Sequence, residues 1–177
     1  EIPPLQFTNQ DNDFAGVHIE LIDDDFQTDE DGDWVQVAFS LISRPADDAS
    51  VIIPLTLQGN EDEMVLLETE IIIQNTNWDN PLSNIVTLTG VDDLLLDGDQ
   101  PVRLITGDPQ SVDLIYDALS ASAVADIDLV NLDNEIPGIV LGGEVEPIGS
   151  TSSGTVTANY QLTKPLNETG ETAIVKI

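Results

Sequence analysis

Val17, Ile19 and Leu21 alternate with His18 and Glu20, and Val35, Val37, Phe39 and Leu41 alternate with Gln36, Ala38 and Ser40. Alternation of period two marks strands with one face in a core and the other toward water. Five further stretches with strand character lie at 49–57, 64–73, 83–89, 101–107 and 125–131. Turn formers separate them: Arg44-Pro45, Gly59-Asn60, Asn80-Pro81, Gly98 and Asp108-Pro109. A short helical turn is expected within 113–123, where Leu114, Ile115, Leu119 and Ala123 fall near helical spacing. The pattern predicts an all-β chain built on a seven-stranded Greek-key β-sandwich of immunoglobulin-like type.

The chain also repeats itself. Asn9-Gln10-Asp11-Asn12-Asp13-Phe14-Ala15-Gly16-Val17 matches Asn131-Leu132-Asp133-Asn134-Glu135-Ile136-Pro137-Gly138-Ile139 at an offset of 122 residues. Phe39 to Pro45 resembles Tyr160 to Pro165 at an offset of 120 to 121. Two similarities at nearly one spacing point to a tandem array with a unit of about 120 residues. Residues 1–14 are then the C-terminal end of a preceding repeat, 15–135 a complete repeat, and 136–177 the start of the next, so the complete sandwich is flanked by partial repeats.

Composition narrows the partners. The 177 residues carry 34 acidic and 4 basic side chains, a formal charge of −30, yet 41% are hydrophobic, enough for a core. Such a surface has nothing with which to neutralise a phosphate backbone or an anionic membrane, so no nucleic acid and no membrane insertion are expected. No apolar run approaches the roughly 18 residues of a membrane helix, and no signal peptide is visible. There is no Cys, which removes disulfides, thiolate chemistry and Cys-based zinc sites, and His18 is the sole imidazole. The natural partners of this chain are cations.

Strand order says where the acids gather. With strands labelled A to G, the AB, CD and EF connections share one end of a sandwich with the exit of G. Asp23, Asp24, Asp25, Asp29, Glu30, Asp31 and Asp33 fall in AB, and Glu61, Asp62 and Glu63 in CD. Asp92, Asp93, Asp97 and Asp99 fall in EF, and Asp133 and Glu135 just after G. Sixteen of the 34 acids thus converge on one end of one repeat, where like charges repel unless neutralised. Calcium, which takes six to eight oxygen ligands, suits such a set better than magnesium, which demands tight octahedral geometry. The competing reading is a solvated acidic surface of halophilic type, in which acids spread over strands and loops alike. The Asp29-Glu30-Asp31-Gly32-Asp33 run is not an EF-hand loop, because its Gly is misplaced for that pattern. Asp47, Asp48, Asp79, Asp108, Asp113 and Asp117 fall at the opposite end, where Asp11 and Asp13 arrive; a second set of ions there would bridge two repeats.

Certain strings carry a family resemblance. Asn77-Trp78-Asp79-Asn80-Pro81 is followed by Ile85-Val86-Thr87-Leu88-Thr89-Gly90-Val91-Asp92-Asp93 and Asp97-Gly98-Asp99. Asp113-Leu114-Ile115-Tyr116-Asp117-Ala118-Leu119 and Asn131 to Glu135 complete the set. Together they resemble the Calx-beta-like calcium-binding tandem repeats of large secreted bacterial adhesins, over most of 15–135. Ala118 stands where the family has Gly, and Glu135 where it has a final Asp. The resemblance implies a seven-stranded sandwich that binds calcium at its loop end and serves as a tandem spacer in an extracellular, cell-surface protein. Carried over by position, it implies as metal ligands Glu30, Asp92, Asp93, Asp133 and Glu135, with Asp11 and Asp13 as the closing motif of the preceding repeat. Asp97 and Asp99 are candidates as well, although an Asp-Gly-Asp turn is equally expected for structural reasons. In the third segment Glu144 or Glu146 is either the counterpart of Glu30 or plain surface.

Other residues have plainer readings. Trp78 and Trp34 are expected to plug or rim the core, His18 to lie on the surface, and the Tyr116 ring to pack under the FG loop with its hydroxyl satisfied locally. Asn167-Glu168-Thr169 fits a glycosylation sequon, which a bacterial source leaves unused. A nucleophilic triad would have only His18 to draw on, and carboxylate pairs are too abundant here to mark a glycosidase, so no enzyme activity is expected. The sequence-based expectation is a calcium-binding spacer involved in cell adhesion, partnered by calcium ions and neighbouring repeats. The alternative is a sandwich that binds a surface glycan or protein, or an accessory domain of a secreted enzyme.

Overall fold

The computed structural model describes residues 3–10, 12–22, 25–46 and 48–135, and the backbone of 139–142 and 159–162. Residues 15–135 fold into two β-sheets that share one core. One sheet has four strands in the order β1 (Val17–Leu21), β3 (Trp34–Leu41), β7 (Ile85–Gly90) and β5 (Met64–Leu66). The other runs β2 (Gln27–Asp29), β10 (Ile127–Leu132), β8 (Gln100–Thr106), β4 (Ser50–Gly59) and β6 (Glu70–Gln74), with β9 (Gln110–Ser111) also pairing β4.

Alternation explains the inward faces. Val35, Val37, Phe39 and Leu41 of β3 and Val86 and Leu88 of β7 meet Val51, Ile53 and Leu55 of β4, Val102 and Leu104 of β8, and Ile127 and Leu129 of β10 in one buried cluster. Fully burying each such side chain contributes about 1.5–3 kcal/mol, so this cluster is the main source of stability. On β3 the second half is buried on both faces, Ala38 and Ser40 included, where the reading from alternation has them facing water. The 3-10 turn Pro81–Ser83 packs against that strand. Behind it, Asn84 (2% exposed) donates to the carbonyls of Phe39, Asn77 and Asn80 at 3.1–3.3 Å and accepts from Asn77 Nδ2 at 3.1 Å. Trp78 packs against the core, as expected, but Trp34 is exposed.

Three departures have physical reasons. The stretch 64–73 is not one strand: β5 pairs β7 in one sheet, and β6 pairs β4 in the other. The polar run Glu68-Thr69-Glu70 interrupts its apolar residues, and Leu67, at the crossing, is exposed. Strands β2 and β9 have no apolar alternation to reveal them; β2 exists because it pairs in parallel with Val130–Leu132 of β10. The expected turn at 113–123 is a short helix α1 (Leu114–Asp117) followed by a 3-10 turn (Ala121–Ala123). It buries Tyr116 and leaves Leu114 and Ile115 exposed. The Tyr116 hydroxyl donates to the Ser43 carbonyl, so its partner lies across the fold rather than nearby in sequence.

Beyond the sandwich, β11 (Ile139–Gly142) and β12 (Asn159–Leu162) form an antiparallel pair in the register Ile139↔Leu162 to Gly142↔Asn159. In the sandwich β1 and β3 pair from Val17↔Leu41 to Leu21↔Val37, and the first four of these five pairs are the ones to compare. Under offsets of 122 and 121 residues the four pairs of β11–β12 coincide with those four. No helix among the described residues is long and apolar enough to cross a membrane.

Candidate metal site

At one end of the sandwich, four connections converge. Glu30 directly follows β2 and Glu135 lies three residues beyond β10; the parallel pairing of those strands brings their ends together. Glu63 ends a 3-10 turn (Glu61–Glu63) between β4 and β5, and Asp92, Asp93 and Asp97 lie between β7 and β8. Two triplets result. Carboxylate oxygens of Glu30, Asp92 and Glu135 lie within 4.8 Å of one another, and so do those of Glu63, Asp93 and Asp97. Asp92 and Asp93, adjacent in the chain, belong to different triplets.

The anchors of both groups are buried: Glu30 is 2% exposed, Glu135 6% and Glu63 9%. Both carboxylate oxygens of Glu135 are shut off from solvent. Burial raises the Glu30 pKa above its ordinary 4.5, opposed by the Asn134 N–H it accepts at 3.2 Å and reinforced by Asp133, Asp93 and Asp92. Burial likewise raises Glu63, opposed by the Asn131 amide and reinforced by Asp93, Asp97 and Glu30. Desolvated carboxylates that repel one another favour a proton or a cation between them.

Asn131 ties the groups together. Its buried side chain accepts from Thr28 Oγ1 at 2.8 Å and donates to Glu63 Oε2 at 3.3 Å and the Val91 carbonyl at 3.1 Å. Gly90 leaves room for this. A Cβ there would lie 2.2 Å from the Asp29 carbonyl oxygen and 2.4 Å from Asn131 Oδ1. The glycine of the Gly-Val-Asp-Asp string therefore lets β2 approach the end of β7 and brings Glu30 toward Asp92.

Of the expected ligands, the structure gathers Glu30, Asp92 and Glu135 in one triplet and Asp93 and Asp97 in the other. Asp99 and Asp133 lie outside both. Asp133 accepts the N–H of Gly98 and of Glu135, each at 2.7 Å, and Asp99 accepts that of Asp133 at 3.3 Å, so both shape the loops around the triplets. Asp13 is exposed and belongs to neither triplet, while Asp11, Glu144 and Glu146 lie outside the described residues. Glu63 is not among the expected ligands because, in sequence, it is one of three consecutive acidic residues. Only its burial and the Asn131 contact distinguish it. In the β2–β3 turn, Asp29 Oδ1 accepts the N–H of Asp31 and Asp33 at 3.1 and 3.2 Å, around Gly32 with φ +90°. At the opposite end three of the acids serve the backbone: Asp113 accepts from Ala46 and Ile115, Asp108 from Ala121, and Asp117 from Ser111.

Fold and site together define a mostly β protein with an acidic, oxygen-rich loop end. No protein-family model matches its sequence, and no curated protein matches it significantly.

Proposed function

We propose that this chain is a calcium-binding spacer from a tandem array, in a secreted or cell-surface bacterial adhesin. The observation that carries the reading is the pair of acidic triplets with buried anchors. Oxygens that ligate one calcium ion at 2.3–2.6 Å lie at most about 5 Å apart, which the 4.8 Å spacing satisfies. The donors are all hard oxygens, with no nitrogen or sulfur to favour zinc. Glu30, Asp92 and Glu135 would hold one ion, and Glu63, Asp93 and Asp97 another. A bound ion supplies positive charge that offsets their repulsion. Asn131, Gly90 and Asp133 hold the carboxylates in place.

In this reading β1, β3, β4, β5 with β6, β7, β8 and β10 are the seven strands of a Greek-key, Calx-beta-like sandwich, and β2 and β9 are short additions. The superposable ladders of β1–β3 and β11–β12 support the repeat. So does the segment 3–13, whose Leu5, Phe7 and Asn9 correspond to Ile127, Leu129 and Asn131 of β10.

The test is calorimetric titration of the chelator-treated chain with calcium, paired with thermal melting. Calcium should raise the Tm, and Glu63→Gln and Asp92→Asn should each reduce the rise, whereas Asp108→Asn should not. A Tm unmoved by millimolar calcium would refute the reading.

A further inference from the structure

The two ends of the sandwich differ in kind. At the end opposite the acidic triplets, the approach to β1, the β3–β4 connection and the segment from β9 into α1 meet. The Ile42 N–H donates to the Gly16 carbonyl at 2.9 Å, the Ala46 N–H to Asp113 Oδ2 at 2.8 Å, and the Tyr116 hydroxyl to the Ser43 carbonyl. On this end Phe14, Ile42, Val112, Leu114 and Ile115 are exposed, Val112 and Leu114 by about four-fifths. At the acidic end Leu94 and Leu95 are exposed within the Asp93–Asp97 loop. A cluster of large apolar side chains left in water marks a contact surface.

We propose that this apolar cap is the seat of the loop end of the preceding repeat, whose counterparts of Leu94 and Leu95 pack against Val112, Leu114 and Ile115. The inference rests on the tandem-array part of the function proposed above and not on calcium. Three residues, Phe14-Ala15-Gly16, separate Asp13 from Val17, and three, Ile136-Pro137-Gly138, separate Glu135 from Ile139. Four Cα steps reach at most about 14 Å. Each repeat therefore starts its first strand within that distance of the last acidic residue of its predecessor, and the cap surrounds that start. Chain length alone keeps the loop end that carries Leu94 and Leu95 close to the cap. Asp108, Asp113 and Asp117 keep their negative charge while they accept backbone N–H groups, so burial of the apolar side chains has to outweigh their repulsion from the acidic loop end.

The test uses a chain in which residues 14–135 occur twice in succession ahead of 136–177. The whole buried cluster lies within 15–135, so each copy carries a complete core. In amide exchange, the peptide covering 111–117 is then present twice, once on a free cap and once on a covered one. Two mass envelopes of equal weight are expected, one exchanging as in the 177-residue chain and one about tenfold slower. Leu114→Ser with Ile115→Ser in the second copy gives its 111–117 peptide a mass of its own, and that peptide should then exchange at the rate of the free cap without a change in the melting of either sandwich. A single envelope at the rate of the 177-residue chain overturns the proposal, and so does slow exchange that survives the double substitution. Calcium titration of the 177-residue chain is read separately: two envelopes without calcium binding would sink the calcium reading alone, and calcium binding with one envelope the docking alone.

Discussion

Gly90→Ala is the most informative single substitution in this fold. Gly90 is not one of the glycines with positive φ, which among the described residues are Gly32, Gly59 and Gly98, so alanine meets no backbone strain there. The entire effect is crowding. An added methyl carbon would lie 2.2 Å from the Asp29 carbonyl oxygen and 2.4 Å from Asn131 Oδ1, each over 1 Å inside ordinary contact. Both obstacles are fixed: the carbonyl ends β2, and Asn131 is locked by Thr28, Glu63 and Val91. Overpacking costs about 1–3 kcal/mol. Displacing Asn131 adds about 1–3 kcal/mol for a buried polar group whose hydrogen bonds are broken. The expected loss is about 2–5 kcal/mol, measured by urea denaturation followed through tryptophan fluorescence, with a reduced response to calcium. Gly32→Ala is the comparison: it meets nothing within 4 Å but sits at φ +90°, and should cost only about 1 kcal/mol, through backbone strain. If Gly90→Ala proves no more costly than Gly32→Ala, the close approach of β2 to β7 is not what holds the acidic end together.

Other outcomes follow from the same geometry. Glu30 and Glu63 have folded pKa values raised above 4.5, so the folded cation-free chain binds protons that the unfolded chain does not. Their contribution should therefore destabilise at neutral pH and be relieved as pH falls through the raised values toward 4.5; Glu63→Gln in chelator should flatten this part of the stability–pH profile. Asp113 behaves oppositely: the backbone N–H of Ala46 first, then that of Ile115, hold its carboxyl below the ordinary 3.8. Its contribution is present above 3.8 and lost as pH falls through the lowered value; Asp113→Ala should cost about 1 kcal/mol at neutral pH, read from the denaturation midpoint, and nothing at the acid limit. Asn84→Leu should cost about 2–4 kcal/mol by the same denaturation assay, because it leaves the carbonyls of Phe39, Asn77 and Asn80 without their shared donor.

The long apolar strands were legible in the sequence because alternation is a local signal, and β1, β3, β4, β7, β8 and β10 fall where it puts them. What alternation cannot carry is choice of partner. The stretch 64–73 reads as one strand, yet Met64 and Ile73 enter the core from opposite sheets. Gln27-Thr28-Asp29 has no pattern at all and becomes a strand only through β10. In the acidic end, strand order brought the right connections together, and Glu30, Asp92 and Glu135 do meet. It could not separate acids that gather in triplets from those that shape turns. Asp133 looks like Asp93 in sequence, and both accept backbone N–H groups, Asp93 from Leu95 and Asp133 from Gly98 and Glu135; only where the fold puts their carboxylates tells them apart. Glu63 is distinguished by burial, a property of the assembled fold.

The parallel pairing of β2 with β10 sets how the sandwich answers tension along its chain. Once β1, nearer the N-terminus and held by β3, has given way, a pull on the two ends drags β2 toward its N-terminal end and β10 toward its C-terminal end, in opposite senses along a shared ladder. The hydrogen bonds linking Gln27–Asp29 to Val130–Leu132 then lie across the pull and load together rather than unzipping in turn. Glu30 directly follows one of these strands and Glu135 lies just past the other, so a cation held between them would add an ionic rivet to the joint that carries the load.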